Sequence, residues 1–301
     1  MFNDRKIRVL VVDDSKLFRE ILVKGLSGDP NIEIVATASD PFEARDKILE
    51  TEPDVLTCDI EMPKMNGIEF VRRLMPQYPL PVIMVSTVST AVFDAMSVGA
   101  VDFVLKPDVS YKKSVDAFIY ELRAKIKVAV HTKVMHANSP HDENPSSIVK
   151  PSAIGSFGKM DPDIVIAIGA STGGTEALFS VIKALPSNMP GIVIVQHIPP
   201  VFSRMFADRL NTQTDLNVKE AQDGDYMEQG KVIIAPGDRH IKIKKIGSRY
   251  RIDCFEGEKV NGHCPSVDVL FDSVAKEAGS RAIGVILTGM CLHTKASTTQ
   301  I

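Results

Sequence analysis

Short apolar runs alternate with amphipathic stretches of helical length through the first 131 residues, and this alternation constrains the fold more than any other feature of the chain. Strand–helix alternation is typical of a parallel sheet with helices on both faces, so we predict a doubly wound α/β domain. The predicted strands are residues 7–12, 32–36, 55–57, 82–85 and 103–105, and the predicted helices are residues 16–26, 41–52, 67–75, 91–98 and 114–131.

The alternation stops at residues 132–162, which are rich in Ser, Pro, Asn and Gly and have no hydrophobic period. That composition is typical of a linker. Alternation resumes at residue 164, so the second half is also predicted to be α/β. We predict a first domain at residues 1–127, a linker at 128–162 and a second domain at 163–301.

Charge and hydropathy exclude two classes of protein. The net charge is −3, whereas a nucleic-acid-binding domain is usually visibly basic. No apolar stretch approaches the roughly 18–20 residues of a membrane-spanning helix, and the N-terminus lacks the features of a signal peptide. The four cysteines (Cys58, Cys254, Cys264 and Cys291) form no CxxC pair, which favours reduced thiols in a cytoplasmic protein over disulfides or a zinc site.

Acidic, hydroxyl and basic side chains follow four predicted strands of the first domain. Asp13 and Asp14 follow the first, Asp59 the third, Ser86 the fourth and Lys106 the fifth. Open parallel sheets place their sites at the carboxyl ends of the strands. Converging carboxylates need a compensating cation, and Mg²⁺ suits a site that also handles phosphate. The simpler alternative is that Asp13 and Asp14 cap the helix that follows.

Residues 7–125 resemble a two-component receiver domain, which has a flavodoxin-like doubly wound sheet. The matching motifs are VVDDS at 11–15, DIEMPKMNG at 59–67, VST at 85–87 and LKP at 105–107. The resemblance implies that a histidine kinase phosphorylates Asp59. A carboxylate is a competent nucleophile toward phosphorus.

The same resemblance implies roles for the residues around Asp59. Asp13 and Asp14 would hold Mg²⁺ together with Asp59 and the backbone carbonyl of Glu61. Ser86 would contact the phosphoryl group, and Lys106 would pair with it. Phe103 stands where such domains often carry a switch aromatic, and a plain core role for this residue is the open alternative.

The second domain opens with an apolar run that leads into Gly169-Ala170-Ser171-Thr172-Gly173-Gly174. This matches G-x-S-x-G between a strand and a helix, the pattern of a nucleophilic serine on a sharp turn. A glycine-rich phosphate-binding loop with the serine as a helix cap is the alternative. His197 stands at the end of the next predicted strand and could accept the proton of Ser171. An α/β-hydrolase places its histidine last, after the acid, so that fold is disfavoured.

Several segments of the second domain resemble the catalytic domain of chemotaxis methylesterases of the CheB family. The matching segments are IGASTGG at 168–174, QHIPP at 196–200, IIAPGDRHI at 233–241, PSVDVLFDSVA at 265–275 and GVILTGM at 284–290. The resemblance implies that Ser171 is the nucleophile and His197 its general base, with Thr172 and Met290 near the active site and no cofactor for the esterase. It also implies the substrates, which are glutamate methyl esters and glutamines of methyl-accepting chemoreceptors, and a chemotaxis histidine kinase of the CheA type as partner.

The resemblance weakens after Met290. The family continues LTGM with Gly, one further residue and Asp-Gly, whereas this chain has Cys291-Leu292-His293-Thr294-Lys295. We therefore expect the triad aspartate to be absent and the second domain to be C-terminally truncated, incomplete after about residue 290. In a serine protease, replacing that acid with an amide lowers kcat about 10⁴-fold.

The sequence is compatible with three alternative functions. One is a phosphorylation-activated methylesterase and glutaminase whose receiver covers the esterase site until Asp59 is phosphorylated. Another is a receiver module with an impaired output domain, acting as a phosphate sink or a competitor for the kinase. A DNA-binding response regulator is the least supported, because residues 163–301 contain a serine turn and no helix-turn-helix pattern.

Overall fold

The computed structural model describes residues 5–87, 91–132 and 163–288, and its contacts divide the chain into two compact units, Met1–Asp142 and Glu143–Ile301. Each unit contains a five-stranded sheet in which every strand pair is parallel. The α/β architecture predicted for both halves is confirmed. Residues 133–162, most of the predicted linker, lie outside the described residues, so the domain boundaries stay a prediction.

The first unit has sheet order β2-β1-β3-β4-β5. Its strands are nearly continuous apolar runs, because a parallel sheet is covered on both faces. The elements are β1 (Ile7–Val12), α1 (Lys16–Ser27), β2 (Ile32–Ala38), α2 (Pro41–Thr51), β3 (Val55–Asp59), α3 (Gly67–Leu74), β4 (Val82–Ser86), α4 (Ala91–Ser97), β5 (Asp102–Leu105) and α5 (Lys112–Ala129).

Alternate strand residues form the core of the first unit. One set packs with α1 and α5 in a single cluster that includes Val9, Val11, Leu22, Val85 and Leu122. Their neighbours along the strands point to the opposite face, because side chains alternate in a strand. Phe103 is 2% exposed, and the Lys125 Nζ lies 5.3 Å from its ring centroid. The structure therefore places Phe103 in the core.

Helix α2 begins at Pro41, as predicted, and Asp40 is its N-cap. The Asp40 carboxylate accepts hydrogen bonds from the amides of Phe42 (2.9 Å) and Glu43 (3.0 Å), and Pro41 needs no partner at the first helical position. Lys64 lies 2.7 Å from the same carboxylate. The hydrogen bond from Lys64 and those from the amides lower the pKa of Asp40.

We expect Asp40→Ala to destabilise α2 by about 1 kcal/mol, which corresponds to roughly fivefold faster exchange of its amide protons. Hydrogen exchange of the full chain, read at residues 43–48, measures this effect. Asp46→Ala is the matched control, because Asp46 is exposed on the same helix and forms an ion pair with the adjacent Arg45. Because the folded-state pKa of Asp40 is lowered, its contribution is present above the ordinary aspartate pKa and is lost as the pH falls through the folded value. Equal exchange in both variants would contradict the capping role.

The second unit has sheet order β12-β6-β7-β9-β8 and a separate antiparallel hairpin of β10 and β11. Its elements are β6 (Val165–Ala170), α6 (Gly174–Ala184), β7 (Gly191–Gln196), α7 (Pro200–Gln213), β8 (Asn217–Glu220), β9 (Lys231–Ile234), β10 (His240–Ile246), β11 (Arg249–Phe255), α8 (Val267–Ala278), a short 3₁₀ helix (Gly279–Arg281) and β12 (Ala282–Ile286).

One buried cluster of the second unit lies between the sheet and the layer formed by α8 and the hairpin. Val165 and Val193 of the sheet, Ile252 of the hairpin and Phe271 of α8 belong to one buried cluster. Cys58, Cys254 and Cys264 carry free thiols. Within the described ranges, no helix is long and apolar enough to cross a membrane.

Candidate functional site

The first candidate site lies at the carboxyl edge of the first sheet. Asp13 directly follows β1, Asp59 and Ser86 are the last residues of β3 and β4, and Lys106 directly follows β5. Because β1, β3, β4 and β5 are parallel neighbours, their carboxyl ends meet at one edge. The chain crosses from one side of β1 to the other here, and doubly wound sheets bind ligands at such a switch point.

Three carboxylates gather at this edge. One oxygen each of Asp13, Asp14 and Asp59 lies within 4.8 Å of the others, with Asp13 and Asp59 buried and Asp14 exposed. The Lys106 Nζ lies 2.8 Å from Asp13 and 2.6 Å from Asp59. Three acids against one lysine leave uncompensated negative charge, and all the donors are oxygens. The arrangement therefore fits a hard divalent cation such as Mg²⁺.

Burial and charge act in opposite directions on these groups. Burial raises the pKa of Asp59, and the hydrogen bond and charge of Lys106 only partly offset this effect. For Lys106, burial lowers the pKa, but the two neighbouring carboxylates together raise it above the ordinary lysine value. Lys106 therefore stays protonated at neutral pH and supplies a fixed positive charge beside Asp59.

The double aspartate does not cap α1. Ser15 is the N-cap and accepts a hydrogen bond from the Phe18 amide, while Asp13 Oδ1 accepts from the Ser15 amide (2.9 Å). The capping alternative left open by the sequence is therefore wrong for this pair, and Asp14 remains available at the surface.

The loop after β3 holds Asp59 in place. The Glu61 amide donates to Asp59 Oδ1 (3.3 Å), and the Gly67 amide donates to the Ile60 carbonyl (2.9 Å). Any side chain at position 67 would overlap the Asp59 carbonyl oxygen, so α3 begins directly against the backbone of Asp59. The metal-binding role of the Glu61 carbonyl stays a prediction.

Ser86 is buried at the same edge, but its hydroxyl does not face Asp59. Its Oγ donates to the Thr87 carbonyl (2.8 Å), and its own carbonyl accepts from the Lys106 amide (2.7 Å). The structure thus brings Ser86 to the site without placing its hydroxyl on the acceptor carboxylate. Its contact with a phosphoryl group stays a prediction.

The second candidate site begins with a sharp turn between β6 and α6. Ser171 directly follows β6, Gly173 has a φ of 73°, and α6 begins at Gly174. The positive φ is a conformation that glycine adopts without strain. A side chain at position 174 would overlap Gln196 and Ala170, so the start of the helix lies against the end of β7.

The turn presents Ser171 to His197. His197 directly follows β7, the strand that pairs with β6, and its Nδ1 lies 3.1 Å from Ser171 Oγ. The N-cap of α6 is Gly173, without a side-chain cap, so Ser171 does not cap the helix. A hydroxyl within hydrogen-bond reach of an imidazole nitrogen is the arrangement of a nucleophile with its general base.

Two residues to which the sequence analysis assigned no role fix the serine turn. The Gln196 Nε2 donates to the carbonyls of Ser171 (2.9 Å) and His197 (3.3 Å). On the other side, the Thr288 Oγ1 donates to the Thr172 carbonyl (2.8 Å), and the Ser171 amide donates to the Thr288 carbonyl (3.1 Å). The last residue of β7 and the segment that follows β12 therefore both bind the turn.

Thr172 is buried, with 5% of its surface exposed. In the described part of the chain, the amides of Thr172 and Gly173 donate to no other backbone group. Amides at the start of a helix are suited to bind negative charge. Met290 and the segment 291–301, where the family aspartate was expected to be missing, lie outside the described residues.

Comparison with known proteins identifies both halves. The family "CheB methylesterase" matches residues 166–298, and "Response regulator receiver domain" matches residues 9–112. The protein-glutamate methylesterase/protein-glutamine glutaminase 2 of Syntrophomonas wolfei is 52% identical over 95% of this chain and 81% of that protein. The corresponding protein of Syntrophotalea carbinolica is 50% identical over 95% of this chain and 82% of that protein.

Among solved structures, the Thermotoga maritima CheB methylesterase catalytic domain is 38% identical and covers 46% of this chain and 73% of that one, with a TM-score of 0.44. The family is shown by the two methylesterase/glutaminase relatives, because each alignment spans 95% of this chain and about four-fifths of the relative. With a receiver at its N-terminal end and a methylesterase sequence at its C-terminal end, the chain belongs to the CheB family of protein-glutamate methylesterases/protein-glutamine glutaminases.

Proposed function

We propose that this chain hydrolyses glutamate methyl esters on chemoreceptors and deamidates their glutamines, with Ser171 as the nucleophile, during chemotactic adaptation. The observation that carries the proposal is the 3.1 Å separation of Ser171 Oγ and His197 Nδ1 at the carboxyl edge of the sheet. Both reactions transfer an acyl group to water, so one nucleophile serves both.

In the acylation step, Ser171 Oγ attacks the ester carbonyl while His197 Nδ1 takes the hydroxyl proton. This role requires a neutral ring whose proton is on Nε2. The tetrahedral intermediate collapses with loss of methanol, which receives the proton from His197. For a glutamine side chain, ammonia is the leaving group. The amides of Thr172 and Gly173 are the groups that we assign to stabilise the oxyanion.

In the deacylation step, water attacks the glutamyl ester of Ser171, and His197 again takes a proton. The products are a free glutamate side chain and the regenerated serine. The family places an acid after LTGM to orient the histidine, whereas this chain has Cys291-Leu292-His293-Thr294 there. We therefore expect slower turnover than in a variant with Gly, Asp and Gly at positions 291, 293 and 294.

We propose that the receiver controls this hydrolase through Asp59. A histidine kinase of the chemotaxis system donates a phosphoryl group to the Asp59 carboxylate, and Lys106 is positioned to pair with the added charge. Asp13, Asp14, Asp59 and the Glu61 carbonyl would hold Mg²⁺, which neutralises charge on the transferring group. Ser86 would reach the phosphoryl oxygens after its hydroxyl turns from the Thr87 carbonyl. We propose that the protein acts in the cytoplasm.

We expect Asp13→Asn to weaken Mg²⁺ binding at least about tenfold, because a metal site loses a charged oxygen ligand and its pairing with Lys106. The chain contains no tryptophan, so calorimetric titration of the full chain is the suitable measurement. Asp46→Asn is the matched control, an exposed aspartate of α2 outside the acidic cluster. Equal affinities for the two variants would contradict the assignment.

The test of the proposed function is release of methanol from a methyl-esterified chemoreceptor. The full chain is assayed with Mg²⁺, with and without acetyl phosphate as a phosphodonor. Methanol release that rises with the phosphodonor supports the proposal. Phosphorylation of the chain without methanol release would instead favour a receiver that acts as a phosphate sink.

A further inference from the structure

A second imidazole lies flat against the ring of His197. The ring centroids of His197 and His263 are 3.8 Å apart, and the ring planes differ by 6°. His263 belongs to the segment between β11 and α8 and is exposed, whereas His197 is half-buried. His263 thus lies on a face of the general base, and neither the serine turn nor the strands of the sheet supply this contact.

The backbone around His263 is well fixed. Val260 and His263 exchange two backbone hydrogen bonds (3.0 and 3.1 Å) across Asn261 and Gly262, whose φ values are 52° and 84°. Asn-Gly is the pair that favours such a two-residue turn. The Asn261 side-chain amide also donates to Asp268 of α8 (2.6 Å).

The residues that follow His263 are bound to other parts of the same unit. The Cys264 thiol donates to the Asp238 carbonyl (3.2 Å), and the Ser266 amide donates to Nδ1 of the buried His240 (3.2 Å). The His263 ring is therefore presented from a segment that is fixed on both sides. Its position over His197 follows from this backbone and does not depend on the stacking alone.

We propose that His263 is a positioning residue, whose stacked ring fixes the plane of His197 so that Nδ1 stays directed at Ser171 Oγ. The torsion that rotates an imidazole about its Cβ–Cγ bond is broad, so a ring packed against one face narrows the range of planes that the imidazole adopts. A parallel aromatic face restrains that rotation and keeps water from one side of the base. This inference rests on the proposed function, in which His197 acts as the base.

The test compares His263→Ala with His263→Phe in the full chain, with methanol release measured with phosphodonor and Mg²⁺. Misplacing a catalytic group by about 1 Å costs up to about 100-fold, so we expect His263→Ala to lower kcat by about 10- to 100-fold with KM unchanged. His263→Phe keeps a flat aromatic face and should restore most of kcat. Val260→Ala, in the same turn but outside the stack, is the control. Equal kcat for His263→Ala and the unmodified chain would overturn the proposal, as would a Phe variant as slow as the Ala variant.

Two further measurements separate this inference from the proposed function. A fluorophosphonate probe reacts with Ser171 without a receptor. The Ser171 oxygen forms a bond to phosphorus, fluoride leaves, and the serine proton passes to His197. Slower labelling of His263→Ala than of His263→Phe supports the positioning role even if the chain releases no methanol. The NMR shifts of the His197 ring protons report the stack directly. We expect them to change in His263→Ala and to keep a ring-current shift in His263→Phe; unchanged shifts in the Ala variant would overturn the stack.

Discussion

We expect the Ser171→Ala chain to release methanol about 100-fold more slowly than the unmodified chain, because this chain already lacks the family's acid after LTGM and losses within a triad are not additive. The substitution removes the oxygen that lies 3.1 Å from His197 and leaves the turn intact, because the turn is fixed through backbone carbonyls by Gln196 and Thr288. The loss should therefore appear in kcat. Initial rates of methanol release across receptor concentrations separate this effect from a change in KM.

Ser180→Ala is the matched control for this experiment. Ser180 is exposed on α6, the helix that follows the serine turn, and the change removes the same atom. We expect this variant to retain the full rate. Substantial methanol release by Ser171→Ala would mean that another group attacks the ester, and it would refute the assignment of the nucleophile.

The second large effect is expected for Asp59→Asn. An amide does not attack phosphorus as a carboxylate does, so incorporation of phosphoryl groups from acetyl phosphate should fall to background. The rate of methanol release with phosphodonor should then equal the rate without it. Lys106 keeps its ion pair with Asp13 in this variant, so the fold of the site should persist.

Two measurements test the Asp59 prediction together, phosphate incorporation into the full chain and the ratio of methanol-release rates with and without phosphodonor. Asp46→Asn repeats the substitution at an exposed position of α2 and should behave like the unmodified chain. A phosphodonor effect that survives in Asp59→Asn would place the phosphorylated residue elsewhere.

Most of the fold could be predicted from the sequence, because parallel strands buried on both faces appear as compact apolar runs. The strand ends were less accurate. Asp59 and Ser86 were predicted to follow their strands but are the last residues of them, since pairing continues to Asp59–Val85 and Ser86–Leu105. Strand β8 leaves no apolar run in the sequence, because Asn217–Glu220 is short and only Val218 in it is buried.

The sequence predicted those site residues that directly follow a strand, such as Asp13, Lys106 and Ser171. Contacts between residues that are distant in the chain produce no recognisable pattern in the sequence. Gln196 was visible only as part of the QHIPP motif, and the Asn-Gly pair before His263 indicates a turn but not what that turn faces. The direction of the Ser86 hydroxyl likewise depends on a local hydrogen bond that no spacing encodes.

The two glycines packed against the sites also limit which sequences can form them. Gly67 lies against the backbone of Asp59, and Gly174 lies against Gln196 and Ala170. Neither residue takes part in chemistry, yet a side chain at position 67 would displace the backbone of Asp59, and one at position 174 would displace Gln196 and Ala170 beside the serine turn. Among variants of this chain, replacements at positions 67 and 174 should therefore disrupt phosphorylation and ester hydrolysis respectively. Genetic screens for loss of function would recover these positions beside the reactive residues themselves.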